Sequence, residues 1–328
     1  MLNSIAALAI ASAATAPAVE VKPLATMQGQ RASIFVPAPT GSQFAAGMEN
    51  LTVRVIDAAN RKTISEFKEH KQQAMAVAWS KDGKWVASGD EGARIYVWDA
   101  KTGKRKVAMD VRHERGIQYL SFNDQGTRLI STGKEDTIRM WDTATGKQTG
   151  VILGKGVNFY SAQWIPGTTN IIVATLGKGA QVYKSDGTLV ASFGGHYDRG
   201  GYDVDFNRVT NRAVTAGADN RGNVWDMTKR TRLGVLGGHT DWLIWSKFSP
   251  NGKVIATSSV DGTVKLWDAA KFTEIGTIAD QSYVGSPLAF TADGKYLVTC
   301  SMYDSIQINQ VTPPQPAPAV KAPVKKKK

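Results

Sequence analysis

Residues 237–268 read GGHTDWLIWSKFSPNGKVIATSSVDGTVKLWD and contain three short runs rich in β-branched and aromatic residues. The first run ends at Phe248, directly before the turn sequence SPNG, and a second turn sequence, DG, separates the other two runs. Short runs separated by Asn-Gly and Asp-Gly are typical of strands joined by tight hairpins. This stretch therefore predicts an antiparallel meander.

The pattern recurs along the chain with a nearly constant period. The residues in the place of Trp267 follow one another at intervals of 42 or 43: Ile56, Trp98, Trp141, Tyr183, Trp225, Trp267 and Asn309. The last apolar residue before the first turn keeps the same spacing, at Val36, Trp79, Phe122, Trp164, Phe206, Phe248 and Phe290. Two markers with one period indicate seven repeated units over roughly residues 20 to 311.

The Gly-His pair at 238–239 and the Trp-Asp pair at 267–268 lie where a WD40 repeat places them. The chain thus resembles the WD40-repeat β-propeller family. The resemblance implies an all-β fold, a single seven-bladed propeller of four-stranded antiparallel blades. One such unit is too small to bury both of its faces, so neighbouring units must stack to make a core. The 32 glycines suit short strands and many turns.

The two ends of the repeated region complement each other. Residues 21–27 have the pattern of an outermost strand with no inner strands before it, and the last unit, residues 286–311, has three strands. In the WD40 family the N-terminal strand joins the last blade, so the resemblance implies that residues 21–27 pair with residues 305–311. The propeller domain is accordingly assigned to residues 20–311.

Residues 1–19, MLNSIAALAIASAATAPAV, form a separate leader. An apolar run followed by Ala-Thr-Ala is similar to a secretory signal peptide, although no Lys or Arg occurs before Lys22. We interpret the leader as a signal peptide of a secreted or periplasmic protein, with a disordered leader on a cytoplasmic protein as the alternative. The run covers about half of the ~20 residues that a membrane-spanning helix needs.

The C-terminal residues 312–328, TPPQPAPAVKAPVKKKK, are expected to be disordered because prolines recur and no apolar run could anchor them. They contain five lysines and no acid, in a chain with a formal charge of +12. Such a tail attracts anionic surfaces weakly and in a salt-dependent way. A solubilising or spacer role is the alternative.

The resemblance also implies buried hydrogen-bond networks in units five and six. In WD40 repeats a histidine, an aspartate and a tryptophan are linked through a hydroxyl, and the matching residues here are His196, Asp219, Trp225, His239, Asp261 and Trp267. A buried indole N–H needs an acceptor, and we expect Ser258 or Ser259 to supply it in unit six. A network of this kind stiffens a blade.

Catalysis and metal binding are weaker interpretations of the same residues. The hydroxyl is expected to be engaged by tryptophan, and no G-x-S-x-G motif supports a hydrolase triad. The four histidines lie 43, 83 and 43 residues apart, which places them in different blades and not around one ion. The triplet Asp198, Asp203 and Asp205 could be a cation site, but its alternation fits a strand with polar side chains toward the channel or solvent. We expect no cofactor and no metal.

Function is then expected to depend on the surface. WD40 propellers meet partners on the rim that carries the motif histidine and aspartate, and by position the candidates for partner binding are Trp242, Tyr197, Arg199 and Arg115. Arg, Tyr and Trp contribute most to buried contacts. The alternative is that the aromatic residues only seal one blade against the next. In unit four, Lys155 and Lys178 could contact an anion, or the unit could simply be degenerate.

The resulting hypothesis is a non-catalytic protein-interaction scaffold. A protein or peptide partner would bind the rim, with help from the basic tail, and no sequence-specific contact with nucleic acid is expected. We expect a monomer. The alternative is a propeller enzyme, a hydrolase or lyase with its site at the central channel. The resemblance names no partner, because this architecture serves many unrelated functions.

Overall fold

The computed structural model describes residues 20–110, 113–133, 135–196, 200–281, 286–301 and 305–312. The leader, residues 313–328 of the tail, Tyr197, Asp198 and Arg199 lie outside the described residues. Every regular element within them is a β-strand, so none of them forms a helix that could cross a bilayer.

After a first strand, the other 27 strands follow one another as six groups of four and a last group of three. They are β1 Glu20–Met27; in blade 1, β2 Ala32–Pro37, β3 Gln43–Met48, β4 Val53–Asp57 and β5 Lys62–Phe67; in blade 2, β6 Ala74–Trp79, β7 Trp85–Asp90, β8 Ile95–Asp99 and β9 Arg105–Ala108; in blade 3, β10 Ile117–Phe122, β11 Arg128–Gly133, β12 Thr137–Asp142 and β13 Gln148–Leu153; in blade 4, β14 Phe159–Trp164, β15 Asn170–Thr175, β16 Gly179–Lys184 and β17 Leu189–Phe193; in blade 5, β18 Gly201–Asn207, β19 Arg212–Gly217, β20 Arg221–Asp226 and β21 Thr231–Gly237; in blade 6, β22 Leu243–Phe248, β23 Val254–Ser259, β24 Val264–Asp268 and β25 Glu274–Ile278; and in blade 7, β26 Ala289–Phe290, β27 Tyr296–Ser301 and β28 Ser305–Thr312.

The strands form seven separate four-stranded antiparallel sheets. Six sheets contain four consecutive strands in sequence order, and the seventh has the order β1-β28-β27-β26. Val21 pairs with Val311 and Met27 with Ile306, so the N-terminal strand is the outer strand of blade 7. Pro23, which has no N–H to donate, sits where an outer strand tolerates it. The predicted seven-bladed fold and its closure are confirmed.

The core lies between the blades. Seven clusters of buried apolar side chains each join two neighbouring blades, as expected when single sheets cannot bury their own faces. One cluster packs Phe35 and Phe44 of blade 1 against Val298, Cys300 and Ile308 of blade 7. This contact closes the ring.

The connections between strands fall on two opposite faces because antiparallel strands alternate in direction. The upper face contains the loops that lead from the outer strand of one blade to the inner strand of the next. It also contains the turns between the second and third strands of each blade. The lower face carries the turns between first and second strands and between third and fourth strands. The first strand of each blade lines a central channel.

The inner strands are linked directly around this channel. Ser161 Oγ accepts the backbone N–H of Val204 (2.9 Å), and Gln163 Oε1 accepts that of Phe206 (3.1 Å). An inner strand has a free edge toward the channel, and unpaired edge N–H groups are costly when buried. Side chains of the preceding blade therefore satisfy part of this edge.

Candidate functional site

A chain of hydrogen bonds runs through blade 6 from the upper face into the core. The indole Nε1 of Trp267 donates to Thr257 Oγ1 (2.8 Å). The same hydroxyl lies 2.9 Å from His239 Nε2, and His239 Nδ1 lies 2.8 Å from Asp261 Oδ2. The hydroxyl has one proton, so it accepts from the indole and donates to Nε2, which leaves Nδ1 to donate to the carboxylate. Every polar group along the path has a partner.

Blade 5 contains the same arrangement. Trp225 Nε1 donates to Thr215 Oγ1 (3.1 Å), which lies 2.7 Å from His196 Nε2. His196 Nδ1 lies 2.9 Å from Asp219 Oδ1. A fifth residue, Asn223, places its Nδ2 at 3.0 Å from the backbone oxygen of Gly195 and beside the imidazole.

Blades 2 and 3 contain two further networks that the sequence analysis did not single out. Their linking hydroxyls are serines: Ser88 in blade 2 and Ser131 in blade 3 each accept from the blade's tryptophan and bond to its histidine Nε2. The carboxylates are Asp90, which ends a strand, and Glu135. The sequence signal for these two networks was a histidine and a Trp-Asp pair at the same spacing as in unit six. The carboxylates of blades 2 and 3 differ from Asp261 of unit six in position or in side-chain length.

The expectation that Ser258 or Ser259 accepts the indole N–H in blade 6 is wrong, because the accepting hydroxyl belongs to Thr257. Ile255 pairs opposite Trp267 in the sheet, so Thr257, two residues further on, points to the same side as the indole. Ser258 points to the other side, where its Oγ is buried without a hydrogen-bond partner in the described part of the chain. Ser259 lies on the correct side but bonds to the backbone oxygen of Asp241 (2.9 Å).

The electrostatics of the blade 6 network favour a neutral imidazole and an ionised carboxylate. Burial lowers the pKa of His239, and this effect outweighs the opposing influence of Asp261. Burial opposes ionisation of Asp261, but hydrogen bonds from Thr263 and His239 hold the pKa of that carboxyl below its usual value. The Thr257 hydroxyl is fully buried and engaged on both sides, so the group braces the blade and presents no nucleophile.

Blades 4 and 7 replace the network with other contacts. Tyr183, in the tryptophan position of blade 4, donates its hydroxyl to Gln181 Oε1 (2.8 Å). Lys155 and Lys178 are both exposed on the upper face of this blade, in the loops that lead into β14 and out of β15. In blade 7, Asn309 Nδ2 donates to the backbone oxygen of Leu297 (3.2 Å).

The candidate partner-binding residues that the structure describes, Arg115 and Trp242, are exposed on the upper face. They precede the inner strands of blades 3 and 6. Trp242 is 36% exposed, and its ring centroid lies 6.2 Å from that of Tyr202 in blade 5. The Tyr202 ring in turn meets Tyr160 of blade 4 edge-on, with centroids 5.3 Å apart.

We call Tyr160, Tyr202 and Trp242 the aromatic row. It crosses three blades beside the upper mouth of the channel, because inner strands begin at the upper face. The two tyrosines were missed in the sequence analysis. The signal for them was their position, four residues before Trp164 and Phe206, respectively.

The central channel contains a cavity of about 210 Å³. Its polar side includes Gln163, Asp205 and Lys247, from three successive inner strands. Lys247 Nζ lies 2.6 Å from Asp203 Oδ2, and Asp205 Oδ2 accepts the backbone N–H of Phe248 (2.9 Å). Burial lowers the pKa of Lys247, but the negative charges around it outweigh burial and leave that pKa raised.

Asp203 and Asp205, the two described members of the aspartate triplet, therefore make structural contacts between blades 5 and 6. In the described ranges no three His, Cys, Asp or Glu side chains are grouped so that they could hold a metal ion.

Comparison with known proteins agrees with this architecture. A sequence model of the WD40 family, described as "WD domain, G-beta repeat", matches residues 61–99, 106–142 and 230–268. Each matched segment ends on a Trp-Asp pair. Three segments of the chain therefore match WD40 repeats, and the structure arranges the strands as a seven-bladed β-propeller.

Individual relatives are distant. WD repeat-containing protein srw1 of Schizosaccharomyces pombe is 23% identical over 68% of this chain and 40% of its own length. COMPASS component SWD3 of Saccharomyces cerevisiae is 27% identical over 38% of this chain and 39% of its own length. The guanine nucleotide-binding protein subunit beta of Zea mays is 23% identical over 59% of this chain and 55% of its own length. The match spans about half of these relatives or less.

Proposed function

We propose that this propeller is a non-catalytic scaffold that binds a protein or peptide partner on its upper face. The observation that carries the proposal is the aromatic row, with an exposed Trp242 at its end. Tyrosine and tryptophan supply large contact areas with few rotatable bonds, and they dominate binding energy when a partner covers them. Rings held against one another lose little further freedom on binding.

The surroundings of the row suit a polar peptide. Arg115 projects from the blade 3 loop, and Lys155 and Lys178 from blade 4, so cations flank the row on one side. Within this proposal Tyr197 and Arg199 remain candidate contacts from the sequence, and the lysines contact an anionic group of the partner. Guanidinium and ammonium groups bind carboxylates and phosphates well when partly desolvated.

The names of two relatives support a role in assemblies. SWD3 is named a component of COMPASS, and the maize protein is named a subunit. The networks support a non-catalytic role, because their hydroxyls and histidines are buried and used within the blades. The networks of blades 3, 5 and 6 brace three of the blades that carry the proposed binding residues.

Affinity capture with quantitative mass spectrometry tests the proposal. The bait is the full chain, compared with a Trp242→Ala, Tyr202→Ala variant. Loss of two anchor residues should weaken the principal partner by about 30-fold or more, since a hot-spot residue contributes about 2 kcal/mol or more. The matched control is Trp85→Ala, a half-buried tryptophan at the lower face that lies between Lys84 and Lys106.

A thermal unfolding curve for each bait checks that the variant is folded before its captured partners are compared. The proposal predicts that partners survive the Trp85 change and are lost from the row variant. Retention of every captured partner by a folded row variant would show that the upper face is not the binding surface.

A further inference from the structure

In the part of the chain that the structure describes, the connections between strands on the two faces carry opposite net charge. The turns of the lower face contain twelve basic residues and four acidic residues in the described chain. The basic residues are Arg61, Lys81, Lys84, Lys101, Lys104, Lys147, Arg208, Lys229, Arg230, Lys253, Lys271 and Lys295; the acidic residues are Asp82, Asp124, Asp186 and Asp293. All twelve cations are exposed.

The described loops of the upper face have the reverse balance, with seven basic and eleven acidic residues. The basic residues are Arg31, Lys68, Lys71, Arg94, Arg115, Lys155 and Lys178; the acidic residues are Glu49, Glu69, Glu91, Asp110, Glu114, Glu135, Asp136, Asp219, Asp241, Asp261 and Asp280. The positive charge of the ring is therefore concentrated on one side.

Three of the four acids, Asp82, Asp186 and Asp293, accept backbone N–H groups of their own turns, whereas Asp124 accepts the N–H of Gly167 in the next blade (2.9 Å). Asp82 Oδ1 accepts the N–H of Lys84 (3.0 Å), and Asp293 Oδ1 accepts that of Lys295 (3.1 Å). Two of the twelve cations, Lys81 and Arg208, form ion pairs within the described chain, and both pair with Asp124. The other ten are exposed and form no ion pair in that part of the chain, although Lys84 lies over the Trp85 ring and Arg230 donates to the backbone oxygen of Val190.

The C-terminal tail begins on the same face. β28 is the third strand of blade 7 and ends at Thr312 on the lower face. The residues that follow contain five lysines and no acid. The segment that contains these lysines is therefore attached to the propeller at the lower face.

We propose that the lower face docks on an anionic phospholipid membrane, with the upper face turned away from the lipid and open to partners. The twelve cations come from six of the seven blades and spread over a plane, as a flat bilayer requires. A nucleic acid duplex would instead favour a narrow basic track along one line of the surface. Each cation near an anionic membrane contributes about 1 kcal/mol, so even partial contact gives measurable binding.

Vesicle co-sedimentation of the full chain tests this docking. Vesicles of phosphatidylserine mixed with phosphatidylcholine are compared with vesicles of phosphatidylcholine alone. The lower-face variant changes Lys81, Lys84, Lys101 and Lys104 to glutamine. Its matched control changes four upper-face lysines, Lys68, Lys71, Lys155 and Lys178, to glutamine, so both variants lose the same formal charge.

The wild-type chain should bind the mixed vesicles, and binding should fade as salt rises. The lower-face variant should bind at least about tenfold more weakly, since about 1 kcal/mol per charge corresponds to about fivefold per lysine. The upper-face control should change less than about twofold. Equal losses in the two variants would overturn the proposal, because orientation would then not matter.

Two further arms separate the sources of binding. A variant with the five tail lysines changed to glutamine should keep a clear difference between the mixed and neutral vesicles. If that variant loses all binding while the lower-face variant keeps it, the folded face is not the docking surface. Tighter binding to a random-sequence DNA duplex than to the mixed vesicles at equal salt would also overturn the proposal. None of these results depends on the aromatic row.

Discussion

Replacing Thr257 with valine removes one buried hydroxyl and preserves the shape of the side chain. In the unchanged chain the Thr257 hydroxyl lies 2.8 Å from the indole Nε1 of Trp267 and 2.9 Å from His239 Nε2. Both of these buried groups lose their hydrogen-bond partner in the variant. Each unpaired buried polar group costs about 1–3 kcal/mol. The free energy of unfolding should therefore fall by about 2–6 kcal/mol.

Urea unfolding followed by tryptophan fluorescence measures this change. The matched control is Ser258→Ala on the neighbouring residue, whose buried hydroxyl has no partner in the described structure. That change should alter the free energy of unfolding by less than about 1 kcal/mol. A Trp267→Phe variant completes a double-mutant cycle, in which the double change should cost less than the sum of the single changes. Equal costs for Thr257→Val and Ser258→Ala would refute the network.

Three further perturbations test other contacts. Burial lowers the pKa of His239 below its ordinary value of 6.5. The imidazole therefore binds a proton more readily in the unfolded chain, and the free energy of unfolding should fall as pH drops below about 6.5. A flat profile of urea midpoints between neutral and mildly acidic pH would contradict the buried neutral imidazole. Gly217→Ala would put a Cβ 2.1 Å from the histidine ring of blade 5 and should cost about 1–3 kcal/mol, whereas Gly237→Ala, with open space at the Cβ, should cost less in the same thermal unfolding assay. Lys247→Met leaves the buried Asp203 carboxylate without its ion-pair partner and should lower the free energy of unfolding by about 3–5 kcal/mol. Adding Asp203→Asn should restore much of that free energy, as measured by urea unfolding.

The fold could be predicted from the sequence because its signals are periodic. The third strands of four blades contain a buried tryptophan, and these tryptophans are separated by about 42 residues or twice that number: Trp98, Trp141, Trp225 and Trp267. The pairing of residues 21–27 with the last blade was implied by the resemblance to the WD40 family, with which the strand counts at the two ends agree. Repetition makes each unit a check on the others.

The site was less predictable because side-chain direction depends on register. Thr257 and Ser258 are adjacent polar residues, and only their pairing opposite β24 shows which one faces the indole. The aromatic row depends on contacts between blades, which a sequence read one unit at a time does not contain. The charge difference between the faces likewise appears only after the turns are sorted by side.

Closure of the ring by β1 supports both proposed surfaces, since it fixes blade 7 against blade 1. Native-state hydrogen exchange with mass spectrometry reports this closure directly, by comparing Glu20–Met27 with Ser305–Thr312. The paired strands should show slow exchange that is lost together on unfolding. Rapid exchange of Glu20–Met27 while Ser305–Thr312 stays protected would show that the first strand does not close the propeller.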